Sequence, residues 1–287
     1  MIGSVFSPYY AWARRRGPAD PLNHCGLNVA LYGRAGKRWS LTERPRSALA
    51  RNDSSLAIGP STLRWDQDVL TIDIAEVTMP IPSRLRGRIR LFPEALVNYQ
   101  APLDPAGRHR WTPIAPCARV EVAMSSPALN WSGPAYFDAN AGDEPLEAAF
   151  HGWDWSRAPS LDGTSVLYHV DLQRQAGAVG TTAGGTGANL ALHFDRHGEV
   201  RKFEAPGRVS LPRTRIWRIP RSTRADPEAP ATILETLEDT PFYARSLVAS
   251  RLRGEKVTAI HESLSLDRFR RPWVQMLLPF RMPRARS

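Results

Sequence analysis

Twenty-five prolines and twenty glycines punctuate the chain from end to end, and no feature limits its fold more. Proline is expelled from helix interiors and from central strands, so a chain broken this often has room only for short elements joined by turns. The intervals hold short alternating or apolar runs, while helical patterning is sparse, as an all-β sandwich or barrel requires. Strands are expected at 26–32, 38–42, 56–58, 62–66, 69–77, 87–93, 119–124, 128–137, 152–156, 165–173, 189–195 and 200–205. One short helix is expected at 144–150, with Asp143 as its cap. The clearest break falls at 206–212. Beyond it, runs at 215–223, 231–238, 246–253, 258–266 and 273–280 read as strands of a second unit. The expected division is therefore 1–210 and a smaller 211–287, the latter short for an independent barrel.

The segment from Arg108 to Glu144 carries the densest chemistry, with His109, Trp111, Trp131, Tyr136 and Asp138 in one strand-rich run. His109 and Trp111 stand two apart, as do Tyr136 and Asp138, so each pair points to one side of its sheet. Such spacing lines an apolar pocket and gives it one acid. Burial among aromatics disfavours an ionised carboxyl, which makes Asp138 a candidate proton donor. The sequence Asp-Ala-Asn-Ala-Gly-Asp is also ordinary turn chemistry, and Asp138 could cap a turn instead. Trp111 and Tyr136 could present π faces to a developing cation or simply pack a core. His109 could bond to the acid or take a proton from water, or lie at the surface between two arginines.

Other clusters read more plainly. Cys25 and Cys117 lack CxxC or Cys/His spacing, which speaks against a disulfide framework or a structural zinc and for a reducing compartment. His193, Asp195 and His197 belong to a strand entering a hairpin, so no metal is expected there. His151, Trp153, Asp154 and Trp155 could line the same cavity, although the Trp-x-Trp pair reads first as sheet packing. Glu262, Asp267 and Arg268 suggest a salt-bridged corner. The Gly-rich stretch 177–187 lacks the lysine and the strand-to-helix setting of a phosphate loop, and reads as a connection.

With 38 Lys and Arg against 28 Asp and Glu the net charge is +10, which favours polyanions. No nucleic-acid-binding signature accompanies the arginines, so no nucleic-acid partner is expected. The tail interleaves Arg with Trp273, Val274, Met276, Leu277, Leu278 and Phe280, an apolar anchor beside charges suited to an anionic membrane surface; a buried final strand would give the same pattern. No apolar run approaches the roughly 18 to 20 residues of a bilayer span, and the start lacks a signal-peptide core. The expected setting is cytoplasmic, peripheral to the inner membrane.

The strings GSVFSPYYAWARRRG, DPLNHCGLNVALYG, RHRWTP, WSGPAYFDANAGDEPLEAAF, TLEDTPFYARS and HESLSLDRFRRPWVQMLLPFRMPR together resemble the carotenoid 1,2-hydratase (hydroxyneurosporene synthase) family over nearly the whole chain. The resemblance implies a pair of lipocalin-like antiparallel β-barrel or sandwich domains. It implies addition of water to the terminal C1,C2 double bond of acyclic carotenoids such as neurosporene and lycopene, with no redox cofactor. Carried onto matching positions, it places His109, Trp111, Tyr136 and Asp138 in the site, with Asp138 as proton donor. Two departures are the start of the chain almost at GSVFSPYY and the Gly/Thr-rich stretch 176–187, which reads as a loop insertion. A non-catalytic carrier of an apolar isoprenoid, or a pericyclase or isomerase on the same fold, would use a similar cavity.

Overall fold

The computed structural model describes residues 6–33, 36–173, 186–228 and 230–285. The Gly-rich connection lies almost wholly outside them. Helix α1 (Pro8–Arg16) leads into the hairpin of β1 (Asn28–Leu31) and β2 (Arg38–Leu41). Next come β3 (Leu49–Arg51), β4 (Ser55–Ile58), β5 (Ser61–Asp66), β6 (Val69–Val77), β7 (Arg84–Pro93), β8 (Ala101–Pro102), β9 (His109–Ser126) and β10 (Ala128–Gly142). They form one eight-stranded sheet in the order β10-β9-β7-β6-β5-β4-β3, with β8 paired to β9. A single helical turn, α2 (Leu146–Ala149), precedes β11 (Phe150–Pro159), β12 (Gly163–Leu172), β13 (Thr186–Asp195) and β14 (Val200–Lys202). The hairpin β15 (Arg208–Leu211) and β16 (Arg221–Arg224) follows, then β17 (Thr232–Asp239), β18 (Tyr243–Leu252) and β19 (Glu255–Ser265), and the helices α3 (Leu266–Phe269) and α4 (Pro272–Arg281). The second large sheet has seven strands in the order β14-β13-β12-β11-β19-β18-β17. Both large sheets are open at their ends, and the chain is all-β in character, as its punctuation requires.

The compact units do not follow a break at residue 210. One comprises Met1–Pro93, Ala118–Ala135 and Gln275–Ser287; the other comprises Glu94–Cys117 and Tyr136–Val274. Strands β17, β18 and β19 lie past the expected break, yet β19 pairs with β11 over Gly152–Arg157, so they complete a sheet begun before it. The 206–212 stretch itself contains β15.

In the first unit, Val29, Ile74, Leu85, Val120, Val122 and Met124 form a buried cluster. Strand β6 contributes to it through alternate positions, and the alternation also points Glu76 inward, where it is buried. A lone buried carboxylate is costly, and here Arg44 donates to it at 2.8 Å and the Ser61 hydroxyl at 2.7 Å. Gly59 has a φ of +60°, and a Cβ there would run into the Arg44 side chain, so glycine clears the guanidinium's path. A second buried carboxylate, Glu43, accepts from Ser7, His24 Nδ1 and Arg284, which ties α1 and the end of the chain to β2. In the second unit, Ala158, Leu167, Ala191, Leu252, Val257 and Ala259 cluster, covered by Phe203 and Ala205.

Several local expectations need correction, among them the strand at 215–223, of which only the last residues are strand, in β16. The helix expected at 144–150 is one turn, capped by Pro145 without a side-chain bond; Asp143 is drawn instead to Arg110 at 3.0 and 3.1 Å. Residues 8–16 are helical, with Ser7 accepting from Tyr10 N–H and proline in the first turn, a start signal that the search for strands passed over. Residues 273–280 form a helix, not a final strand. Short apolar runs do not distinguish the two by periodicity, and the helical spacing shows in burial: Val274 and Leu278 are buried, whereas Trp273, Met276, Leu277 and Phe280 are exposed.

Arg44→Met leaves Glu76 buried without its charge partner and is expected to cost about 3–5 kcal/mol in urea unfolding. Adding Glu76→Leu should recover most of that loss; a single variant as stable as the parent would show that the pair does not hold the strand.

Candidate active site

Trp111 on β9 is fully buried, and a buried indole N–H needs an acceptor. It finds Asp138 on β10: Nε1 donates to Oδ2 at 2.8 Å. Tyr136, two residues before the acid and on the same face, donates its hydroxyl to the same oxygen at 3.1 Å. Both donors therefore sit on Oδ2, and Oδ1 has no partner among the described residues. The side chains packed around them are aromatic. Tyr168 meets Trp111 edge-on with ring centroids 5.7 Å apart, Trp155 packs on Tyr136 at 5.4 Å, and Trp153 meets Tyr168 at 6.3 Å. Arg157 lies over the Tyr136 ring at 5.7 Å.

Burial pushes Asp138 above the ordinary carboxylate range; the Trp111 and Tyr136 bonds pull it back, and the charge of Glu262 adds to the rise. The net direction is upward, which keeps the acid form to higher pH. Asp138 remains partly accessible, so it is poorly hydrated yet reachable. Burial also drives Tyr136 well above its usual range, and it stays a neutral donor.

His109 makes its contacts with a different carboxylate. Its ring packs on Phe150 at 4.7 Å and its Nε2 is 3.7 Å from Glu144, and the structure gives it no bond to Asp138. Burial lowers its pKa, favouring neutral imidazole. A Cβ on Gly142 would stand 2.7 Å from His109 Nδ1, so that glycine permits the close approach. Trp131 is exposed and takes no part in the pocket. The structure thus brings together Trp111, Tyr136 and Asp138 and adds Trp153, Trp155 and Tyr168. The signal for these additions was Trp-x-Trp, read as packing; β12 supplied none.

Strand β11 separates two chemistries by its pleat. Trp153, Trp155 and Arg157 face the acid pocket, while Asp154 faces the other side. There it accepts from Ser222 and Ser263, both at 2.6 Å, and from Arg208 at 3.0 Å. A cavity of about 380 Å³ opens beside it, lined also by Asp171, Arg221 and Asp267. Burial raises the pKa of Asp154, but the bonds from His261, Ser222 and Ser263 outweigh it and hold the group ionised. The expected corner of Glu262, Asp267 and Arg268 is dispersed: Glu262 pairs with Arg245, Asp267 with His151 and Arg270, and Arg268 donates to the Trp217 and Arg218 carbonyls. Asp195 accepts from the N–H groups of His197 and Glu199 in a turn, and His193 bonds to Ser165 and Arg253.

The model of the carotenoid hydratase CrtC family matches residues 1–287. The chain belongs to the carotenoid hydratase family. By that membership it is an enzyme of the hydro-lyase class. It is 61% identical over 284 residues to the acyclic carotenoid 1,2-hydratase of Thiocapsa roseopersicina, across 99% of this chain and 68% of that protein. The acyclic carotenoid 1,2-hydratase of Rubrivivax gelatinosus is 50% identical over 289 residues with the same coverage, 99% and 68%. That of Cereibacter sphaeroides is 38% identical over 99% of this chain and 96% of its own. A solved structure from Nitrosomonas europaea, named for AttH, aligns with a TM-score of 0.56 at 15% identity, over 83% of this chain and 79% of that one. That likeness concerns the fold alone.

In this hydratase-family pocket, Trp111→Phe and Tyr136→Phe each remove a donor that favours the carboxylate, so the pKa of Asp138 should rise in both. Carboxyl NMR titration of Asp138 checks the direction. The larger rise is expected for Trp111→Phe, which loses the shorter bond, and no movement in either variant would mean that desolvation alone sets the acid.

Proposed function

We propose that the chain adds water across the terminal C1,C2 double bond of acyclic carotenoids such as neurosporene and lycopene, giving 1-hydroxy carotenoids without a redox cofactor. The observation that carries this reading is the placing of both Asp138 donors on Oδ2, which leaves Oδ1 to carry the acid proton toward substrate. Protonation of an unactivated trisubstituted alkene is the harder half of hydration. It needs an acid in a dry place, and Asp138 sits in one. Delivery of that proton to C2 leaves a tertiary cation at C1. The aromatic rings around Asp138 favour this charge by roughly 0.5 to 2 kcal/mol each, and water then captures it. Because the acid form is required, turnover falls as pH rises through the raised Asp138 pKa.

Purified protein incubated with lycopene in lipid dispersion containing oxygen-18 water, with no cofactor, should yield a labelled 1-hydroxy product. Asp138→Asn should bind lycopene and lose about 10²- to 10⁴-fold in turnover. A variant that hydrates normally would remove Asp138 from the role, and unchanged pigment bound to unmodified protein would favour a carrier.

Substrate comes from the membrane in this reading. A forty-carbon polyene carries roughly 0.8 kcal/mol of transfer cost per methylene-sized group, so passage through water would cost tens of kcal/mol. On α4, Trp273, Met276, Leu277 and Phe280 recur at i, i+3, i+4 and i+7 and are exposed, an apolar stripe of the interfacial kind. Exposed Arg270 and Arg271 precede it, and the net charge is +10, which suits an anionic bilayer. Trp273 is braced by Trp217, stacked at 5.8 Å. Met276→Ser with Phe280→Ser should weaken co-sedimentation with anionic liposomes at least about tenfold and leave turnover of detergent-dispersed lycopene intact. Undiminished sedimentation would move the contact away from α4.

A further inference from the structure

Capture of the C1 cation by water leaves an oxygen that must lose a proton, and the pocket as described assigns no group to receive it. His109 points toward Phe150 and Glu144. A second carboxylate lies on the aromatic face of the seven-stranded sheet. Trp155 of β11 pairs directly with Tyr168 of β12 on one side and with Glu262 of β19 on the other, and Glu262 pairs in turn with Arg245 of β18. Directly paired residues share a face, with neighbouring strands about 4.8 Å apart. Glu262 thus stands one strand from the ring that packs on Tyr136.

We infer that Glu262 is the base that deprotonates the attacking water, with the water held between Glu262 Oε2 and the indole N–H of Trp155. This role rests on the hydration reading of the pocket. Three features carry it. Arg245 bonds Glu262 through Nε at 2.9 Å and Nη2 at 2.7 Å, both to Oε1, so the carboxylate is ion-paired while its Oε2 has no partner among the described residues. Trp155 Nε1 is buried and has no hydrogen-bond partner among the described residues, and a bound water needs at least two polar partners. Glu262 also keeps 20% of its side-chain surface exposed, which lets an acquired proton return to solvent. Asp138 is buried among aromatic rings, whereas Glu262 is ion-paired with Arg245.

The step balances with one water and no oxidant. The π electrons of the C1,C2 bond take the Asp138 proton to form C2–H. A lone pair of water forms C1–O, one water proton passes to Glu262, and exchange with solvent returns a proton to Asp138 while Glu262 loses its own.

The test is turnover of lycopene in deuterium oxide, followed by mass analysis of both product and recovered substrate. The parent should hydrate. Glu262→Gln should lose about 10²-fold or more in hydration and still wash deuterium into recovered lycopene, because the uncaptured cation can surrender a protium from C2 or a C1 methyl, in place of the delivered deuteron, to the Asp138 carboxylate. Asp138→Asn should lose hydration and exchange together. Arg245→Met breaks the same ion pair yet leaves the carboxylate, and should hydrate faster than Glu262→Gln. Parental hydration by Glu262→Gln, loss of its exchange along with hydration, or equal losses in the Glu262 and Arg245 variants would each overturn the role. A parent that neither hydrates nor exchanges would fell the hydration reading itself, and this inference with it.

Discussion

The pleat of β11 organises the second unit, because its alternation decides which side chains share an environment. Residues 153, 155 and 157 face a crowded aromatic pocket, and Asp154 between them faces hydroxyl and guanidinium donors. Two aspartates of the same unit consequently move in opposite directions. Asp154 collects enough donors to stay ionised, and Asp138 is pushed toward the neutral acid. A one-residue slip of β11 against β12 and β19 would exchange the faces and place a charge among the rings.

Around Asp138 two effects oppose each other, burial and the bonds from Trp111 and Tyr136. Trp111 must give its buried N–H an acceptor, since an orphaned donor costs about 1–3 kcal/mol, and the acceptor it finds is the group whose ionisation the pocket resists. The same bond orients the acid and lowers its pKa. Placing the Tyr136 hydroxyl on the same oxygen concentrates this opposing effect on Oδ2 and leaves Oδ1 without a partner among the described residues. Packing and protonation are thus coupled through one carboxyl, and a change at either aromatic alters both.

Much of the fold was legible from local signals. The run Val69–Val77 alternates cleanly and forms β6 with those bounds, and turn-forming residues separate most other strands. The misreadings have more than one cause. Asp143 had the chemistry of a helix cap, but Arg110 stood nearer. Residues 273–280 had the composition of a strand, but Pro272 begins a helix whose apolar groups split between a buried and an exposed face. The break at 206–212 looked like a domain boundary because sequence proximity says nothing of β19 returning to pair with β11.

The candidate site divides in the same way. Period-2 spacing alone put Tyr136 with Asp138 on one side of a strand, and His109 with Trp111 on one side of another, and the residue types named an acid among aromatics; the family strings pointed to the same four. Those are properties of covalent geometry and side-chain chemistry, which the order of residues determines by itself. That Trp111 reaches the acid while His109 turns toward Glu144, that Trp155 and Tyr168 complete the wall, and that Glu262 stands beside them were decided only by contacts between strands, of which the pairing of β11 with β19 reaches furthest along the chain. Registers of that kind arise from the packing of whole sheets, and only the folded chain contains them.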